Sequence, residues 1–163
     1  MYQRAIVNDP IQRASAQYVR FFRDPGSDAI IAKGGLLRLL QQVWGWQKPE
    51  SMDAYEYGEL LAGWEDRGAA VAMLNWYRAS SITVPLIGAA ADVPKWAAGA
   101  FPKLNIPTLL VWAMEDKALS PSNIEGIEEL VPNIHIERVA NCGHFVTWEK
   151  PDAVIAAMEK FLA

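Results

Sequence analysis

The chain has a single cysteine, Cys142, among 163 residues. That excludes an internal disulfide and fits a reducing compartment. Long hydrophobic runs are missing as well; none approaches the roughly 18 apolar residues of a membrane span. Met1 is not followed by the pattern of a secretory leader, so the expectation is a soluble, unexported, cytoplasmic protein. Positive charge is in short supply. Lys and Arg number 15 against 19 Asp and Glu, a formal net charge of −4 with a pI near 5.2. Neither nucleic acid nor an anionic membrane fits as main partner, since both reward clustered cations. No Cys/His set has metal-ligand spacing and no glycine-rich phosphate loop occurs, so no metal and no cofactor is expected.

Apolar residues are abundant instead. At 52% of the chain they exclude a disordered tail, and a chain of this length can bury roughly 70% of its unfolded surface without staples. Seven Trp and five Tyr are many for this size, and aromatic-lined pockets are one use for them.

Periodicity divides the chain near Lys103, with residues 1–103 and 104–163 expected as two units. The first reads as helices punctuated by Gly and Pro. Good helix formers run from Pro10 to Arg23 until Asp24-Pro25-Gly26-Ser27 stops them. A second helical stretch runs from Ala29 past Gly34-Gly35 to Leu40. In Met52 to Trp64, Tyr57, Leu60, Leu61 and Trp64 recur at helical spacing. Gly68 opens another helix, carrying Val71, Leu74 and Arg78, that ends at Ser80-Ser81. Residues 82–102 read as an irregular connection.

The last sixty residues differ. Ile106 to Trp112 is a continuous apolar run, the pattern of a strand covered on both faces. Ser120-Pro121 reads as a helix start, with Ile124, Ile127, Leu130 and Val131 as its stripe. Ile134 to Val139 is a second strand, and Pro151-Asp152 opens a final helix with Val154, Ile155, Met158, Phe161 and Leu162. The order βαβα is that of a parallel sheet with helical crossovers, an α/β fold. Two parallel strands cannot cover a run as apolar as 106–112. The expectation is therefore the end of a larger α/β domain, incomplete without an N-terminal portion.

In open parallel sheets, function sits at the carboxyl ends of the strands. Two polar groups fall there. Asp116 lies four residues beyond the first strand, and His144 follows the second within Asn141-Cys142-Gly143-His144-Phe145. An Asp that accepts from one imidazole nitrogen fixes the tautomer and leaves the other as a base. An Asp capping a turn and a solvent-exposed loop His fit the spacing equally well. The other histidine, His135, falls mid-strand and reads as structural or surface.

These residues carry a resemblance. Ile106-Pro107-Thr108 into the strand, Trp112 with Asp116 and Leu119, then Gly143-His144-Phe145 with Glu149-Lys150-Pro151 beyond, resemble the C-terminal end of the α/β-hydrolase fold. The resemblance implies that Asp116 is the acid and His144 the base of a catalytic triad. Glu115 is the rival acid, one place too early for the family pattern, and Ala113 stands where a Gly often follows the Trp.

The helical half resembles the cap domain of epoxide hydrolases in that superfamily, on Tyr18-Val19-Arg20-Phe21-Phe22-Arg23-Asp24-Pro25-Gly26 and Leu74-Asn75-Trp76-Tyr77-Arg78. The resemblance implies that Tyr18 and Tyr77 point at the substrate. Ring opening develops negative charge on the epoxide oxygen, and a phenol of pKa about 10 stays a donor at neutral pH, so two would form an oxyanion hole of side chains. The alternative is two amphipathic tyrosines in a Trp-rich core. Trp44, Trp46, Trp64, Trp76 and Trp96 read as packing or pocket wall, Arg78 as part of a solvated helix face with a carboxylate pair as the alternative, and Cys142 as a small buried apolar side chain.

The family's nucleophile is missing. Its strand-to-helix turn, G-x-S-x-G or an Asp counterpart, occurs nowhere, and the chain holds cap, acid and base alone. A base with nothing to activate gives little covalent catalysis, so the chain is expected to be inactive by itself. It would act as the C-terminal portion of an epoxide hydrolase-like enzyme that turns an epoxide into a diol. The implied partners are a small apolar substrate such as an epoxide, and a separate N-terminal hydrolase portion or another copy. The rival readings are a haloalkane or haloacetate dehalogenase half, an ester hydrolase half, and a non-catalytic binding module.

Overall fold

The structure, a computed structural model, describes residues 1–31, 53–64 and 67–163. The chain opens with three short helices, α1 (Tyr2–Asn8), α2 (Pro10–Ser15) and α3 (Gln17–Arg23). Pro10 forces Asp9 into an extended conformation (φ −108°, ψ 113°), which ends α1. The Asp9 carboxylate then caps α2, accepting from the Ile11 amide at 2.8 Å. Instead of one helix from Pro10 to Arg23, the chain breaks at Ala16. There the Gln17 side-chain amide donates to the Arg13 carbonyl at 3.0 Å, the acceptor that an unbroken helix would offer to the Gln17 backbone amide. Asp24, before Pro25, stops α3 and accepts from the Gly26 amide at 2.7 Å.

A short α4 (Ser27–Ile30) follows. The expected helix through Leu36 to Leu40 lies outside the described residues, as do Trp44 and Trp46. Helices α5 (Ala54–Trp64) and α6 (Arg67–Ala79) come next, then an extended connection broken by a single turn of helix, α7 (Lys95–Ala98). Leu74 of α6 packs with Phe22 and Ile31 in one buried cluster, and Ile6, Ala16, Val19 and Val84 form a second. Tyr18 and Tyr77 pack against both.

Two arginines lock this arrangement. Arg23 donates to the carbonyls of Tyr77, Ser80 and Ile82, just where a helix C-terminus leaves carbonyls unpaired. Arg78 does not lie on a solvated helix face. It donates to the Phe22 carbonyl at 2.9 Å and to Ser27 Oγ at 2.9 Å, and it pairs with Asp28 at 2.6 Å. Position 78 faces the exposed end of α3, where unpaired carbonyls draw the guanidinium inward.

The C-terminal part holds two parallel strands, β1 (Thr108–Ala113) and β2 (Ile134–Val139), paired from Thr108 opposite Ile134 to Ala113 opposite Val139. The helix expected after Ser120 is absent; two 3-10 turns, Pro121–Asn123 and Ile127–Glu129, stand in its place. Gly126 is left-handed (φ 71°) and interrupts any helix there. Ser120 makes no side-chain cap, and its hydroxyl donates to Asp9 at 2.7 Å. The chain ends in α8 (Val146–Glu149) and α9 (Pro151–Leu162). Ala157 of α9 is buried, whereas Ile155, Met158 and Leu162 are exposed. Most of β1 is only half-buried, and the buried Trp112 Nε1 and His135 Nε2 have no hydrogen-bond partner among the described residues. Among the described residues, no helix is long and apolar enough to cross a membrane.

Candidate functional site

The two strands deliver their C-terminal loops to one point. Beyond the last rung, the Met114 amide donates to the Val139 carbonyl and the Glu115 amide to the Cys142 carbonyl, each at 3.0 Å. The ladder thus continues into the loops and brings residues 116 and 144 together. Cys142, fully buried with Ala113 and Val139, forms the floor. Asn141 takes the left-handed turn before it (φ 53°), a conformation that Asn tolerates better than most residues.

His144 Nδ1 lies 2.9 Å from Asp116 Oδ2 and 3.0 Å from Oδ1. A carboxylate only accepts, so Nδ1 carries the proton and Nε2 keeps its lone pair. Asp116 Oδ1 also accepts from the amides of Ala118 at 2.7 Å and Leu119 at 3.1 Å. The side chain of Asp116 is 8% exposed, against 29% for His144. Asp116 is buried and held by its own loop, while His144 reaches the surface of a cavity. On the far side of His144, the Glu149 carboxylate accepts from the Gly143 amide at 2.7 Å and the Phe145 amide at 3.2 Å. Glu149 thereby clamps both peptide neighbours of the imidazole.

That cavity, about 420 Å³, is lined by His144 and Phe145 from below and by Tyr2, Tyr18, Phe22, Trp76 and Tyr77 from the helical part, with Ala118 and Leu119 at its side. The four residues singled out in the sequence (Tyr18, Tyr77, Asp116 and His144) are therefore gathered in one place, three on the cavity wall and Asp116 directly behind. The rings of Tyr18 and Tyr77 meet edge to face at 5.7 Å, and each packs on Phe22, at 5.2 and 4.8 Å. The phenols of Tyr2 and Tyr77 neighbour that of Tyr18. Burial, and then the neighbouring phenols of Tyr2 and Tyr77, push the Tyr18 pKa well above the ordinary phenol range. Burial also raises Tyr2, against the opposing effect of the Tyr18 phenol.

Tyr2 and Glu149 are the residues sequence reasoning missed in these roles. Glu149 stood inside the motif that carried the resemblance, five places after His144, which is within reach of the loop amides. Glu115 is exposed and His135 stays in β2, so neither joins the Asp116–His144 pair. Trp76, 79% exposed, stands at the cavity mouth. Trp96 is exposed and is not among the lining residues.

Residues 46–151, more than half of the chain, match the alpha/beta hydrolase fold family. The chain belongs to that family. The AB hydrolase superfamily protein YfhM of Bacillus subtilis is 26% identical over 154 residues, which cover 94% of this alpha/beta hydrolase chain and 50% of YfhM. A solved structure described as novel epoxide hydrolases of the alpha/beta hydrolase superfamily, from metagenomes of hot environments, is 47% identical. It superposes with a TM-score of 0.87 over 100% of this chain and 55% of its own. The epoxide hydrolase of Bacillus megaterium in complex with an inhibitor is 26% identical, with a TM-score of 0.79 over 99% of this chain and 56% of its own. The chain thus spans about half the length of the relatives it matches, and the exposed apolar face of α9 and half-covered β1 accord with that.

Proposed function

We propose that the chain supplies the lid, acid and base of an epoxide hydrolase. Residues 1–103 form the lid, residues 104–163 form the end of the core, and the nucleophile comes from an N-terminal portion. The observation that carries this reading is the single cavity in which Tyr18 and Tyr77 face His144.

In the first step a carboxylate from the nucleophile-bearing portion attacks an epoxide carbon, and the carbon–oxygen bond breaks. The charge that develops on the released oxygen is met by the hydroxyls of Tyr18 and Tyr77, one of which gives up its proton to form the alcohol. A phenol whose pKa is raised by burial keeps that proton at neutral pH until an alkoxide, the stronger base, appears. In the second step His144 Nε2 takes a proton from water, and the resulting hydroxide adds to the ester carbonyl. The diol leaves, the carboxylate is restored, and the proton on the imidazolium returns through solvent to the phenolate. Asp116 stays ionised throughout and stabilises the imidazolium. The apolar lining of Phe22, Phe145, Ile82 and Val19 suits a small apolar epoxide. The similarity to the two epoxide hydrolase structures supports the same choice.

The test assays the chain assembled with its nucleophile-bearing portion on an epoxide, a chloroalkane and an ester of one aromatic skeleton. Diol formation from the epoxide is expected to dominate. Changing Tyr18 and Tyr77 together to Phe is expected to lower kcat by at least about 100-fold. Unchanged epoxide turnover in that double variant, or preferential halide release or ester cleavage, would overturn the reading.

A further inference from the structure

Two backbone amides flank His144, and one carboxylate takes both. Glu149 Oε2 accepts from the Gly143 amide at 2.7 Å, and Glu149 Oε1 from the Phe145 amide at 3.2 Å. Gly143 is buried, so its amide needs an acceptor within the protein. Glu149 is itself pinned. Its own backbone amide donates to the Phe145 carbonyl at 2.9 Å, and the Lys150 amide to the Val146 carbonyl at 3.0 Å. The single turn of α8 thus carries Glu149 back over the loop that precedes it. At the other end of that loop, the Cys142 carbonyl accepts from the Glu115 amide at 3.0 Å. The segment that presents His144 is held from both sides.

The clamp suits a carboxylate and no other side chain of that length. Two N–H donors need two acceptors, and both oxygens of an ionised Glu accept. A Gln offers one oxygen and an NH2 group, which sets donor against donor at one of the amides. Bonds to an ionised acceptor are also stronger than those between neutral groups. What the clamp fixes is a direction. The peptide planes on either side of His144 set where its Cα–Cβ bond points. Asp116 then fixes the rotation of the ring by holding Nδ1 at 2.9 Å. Asp116 alone leaves the backbone end of the side chain unfixed.

We propose that Glu149 is a positioning residue for His144: by holding the Gly143 and Phe145 amides together, it keeps the imidazole against Asp116 and at the cavity wall. The inference rests on the proposed role of His144 in the second step of the reaction. It adds a residue that is not among those lining the cavity. Its effect is confined to one step. Ring opening asks nothing of the imidazole, whereas ester hydrolysis needs Nε2 within reach of a water. Misplacing a reacting group by about 1 Å can cost on the order of 100-fold in rate, and losing one of two bonds is expected to cost about 10-fold.

The test uses Glu149→Gln and Glu149→Asp in the assembled enzyme. Gln keeps the volume and loses one acceptor; Asp keeps the charge and falls one methylene short of the amides. Nitrogen NMR with labelled histidine in this chain, which has two, reads the His144 tautomer at pH 8 without substrate. Rapid mixing with saturating styrene oxide, followed by intact mass, separates ester formation from ester hydrolysis. The parent is expected to carry the His144 proton on Nδ1, and both variants to show a mixture of tautomers. Ester formation should stay within about 2-fold of the parent while ester hydrolysis slows about 10-fold. If Glu149 only caps the turn of α8, the melting temperature falls while the tautomer and both rates match the parent. That result, or equal slowing of both steps, overturns the proposal. A parent that forms no ester from styrene oxide overturns the proposed function instead. The tautomer then decides the clamp by itself: a mixture in both variants upholds it, and an unchanged Nδ1 proton overturns it.

Discussion

Gln12 and Ser120, 108 residues apart, are joined inside the protein: Gln12 Oε1 accepts from the Ser120 amide at 2.8 Å. The same side chain donates to the Ala118 carbonyl at 2.9 Å and accepts from Asn123 Nδ2 at 2.6 Å. Gln12 is 0% exposed. One buried amide thus ties helix α2, in the part that carries the phenols, to the loop that carries Asp116.

Gln12→Ala removes that tie and leaves a carbonyl and two donors buried beside a small cavity. The expected loss is about 2–4 kcal/mol of stability, read from urea unfolding. A change below about 0.5 kcal/mol would mean that the two parts are held together elsewhere.

Asp9 makes a second tie, accepting from Ser120 Oγ and Ser122 Oγ at 2.7 Å each. Burial pushes its carboxyl up, but those hydroxyls and the amides of Ile11 and Gln12 outweigh it and hold the pKa below the usual range. A group depressed in the folded state stabilises above its unfolded pKa, near 3.9, and loses that contribution as pH falls through the folded value. Urea midpoints at pH 7 and pH 3 should therefore converge between the parent and Asp9→Asn at the acid end. A constant gap between them would contradict the assignment.

Much of this was legible beforehand and some was not, for a physical reason. β2 was expected over 134–139 and β1 within two residues of its true start, because short segments rich in β-branched or apolar residues between turn residues need no distant partner to be recognised. Asp116 and His144 could be placed at adjacent strand tips for the same reason. The helix after Ser120 failed because Gly126 turns left-handed there, and the Ser120 hydroxyl serves Asp9, 111 residues earlier in the chain, rather than a cap. For Arg78 the carboxylate partner, Asp28, fits the alternative reading and the solvated face does not, because its other acceptors, Phe22 and Ser27, lie more than fifty residues away. Tyr2 carried no motif, and only the folded chain brings it beside Tyr18.

Arg78 offers a sharper stability test. Its ion pair with Asp28 is half-exposed on the acid side, and such pairs contribute under about 1 kcal/mol. The bonds to the Phe22 carbonyl and Ser27 Oγ are part-buried and are lost only when the guanidinium goes. Asp28→Asn should shift the urea midpoint little, and Arg78→Met should cost about 1–3 kcal/mol. Arg78→Lys should recover little of that, because one ammonium cannot reproduce the guanidinium fork. Equal effects of Asp28→Asn and Arg78→Met would show that the ion pair dominates.

Tyr18 sets an alkaline limit. Burial and the adjacent phenols keep it protonated in the folded chain above the pH at which an unfolded tyrosine ionises, about 10. Its contribution to stability is complete below that pH and declines as pH rises beyond it. The stability difference between the parent and Tyr18→Phe should be constant from pH 7 to 9 and move against the parent from pH 10 to 11. A difference that stays flat through pH 11 would mean that the Tyr18 hydroxyl ionises as it does in water.

The role of the imidazole is tested by stopping the reaction half-way. In the assembled enzyme, His144→Gln removes the imidazole proposed to activate water, while the phenols and the proposed nucleophile remain. Mixed with an apolar epoxide and weighed intact, that variant should gain the mass of one epoxide and hold it, whereas the parent returns to its own mass as diol accumulates. A His144→Gln protein that still releases diol at the parent rate, or that never gains the mass, would contradict water activation by the His144–Asp116 pair.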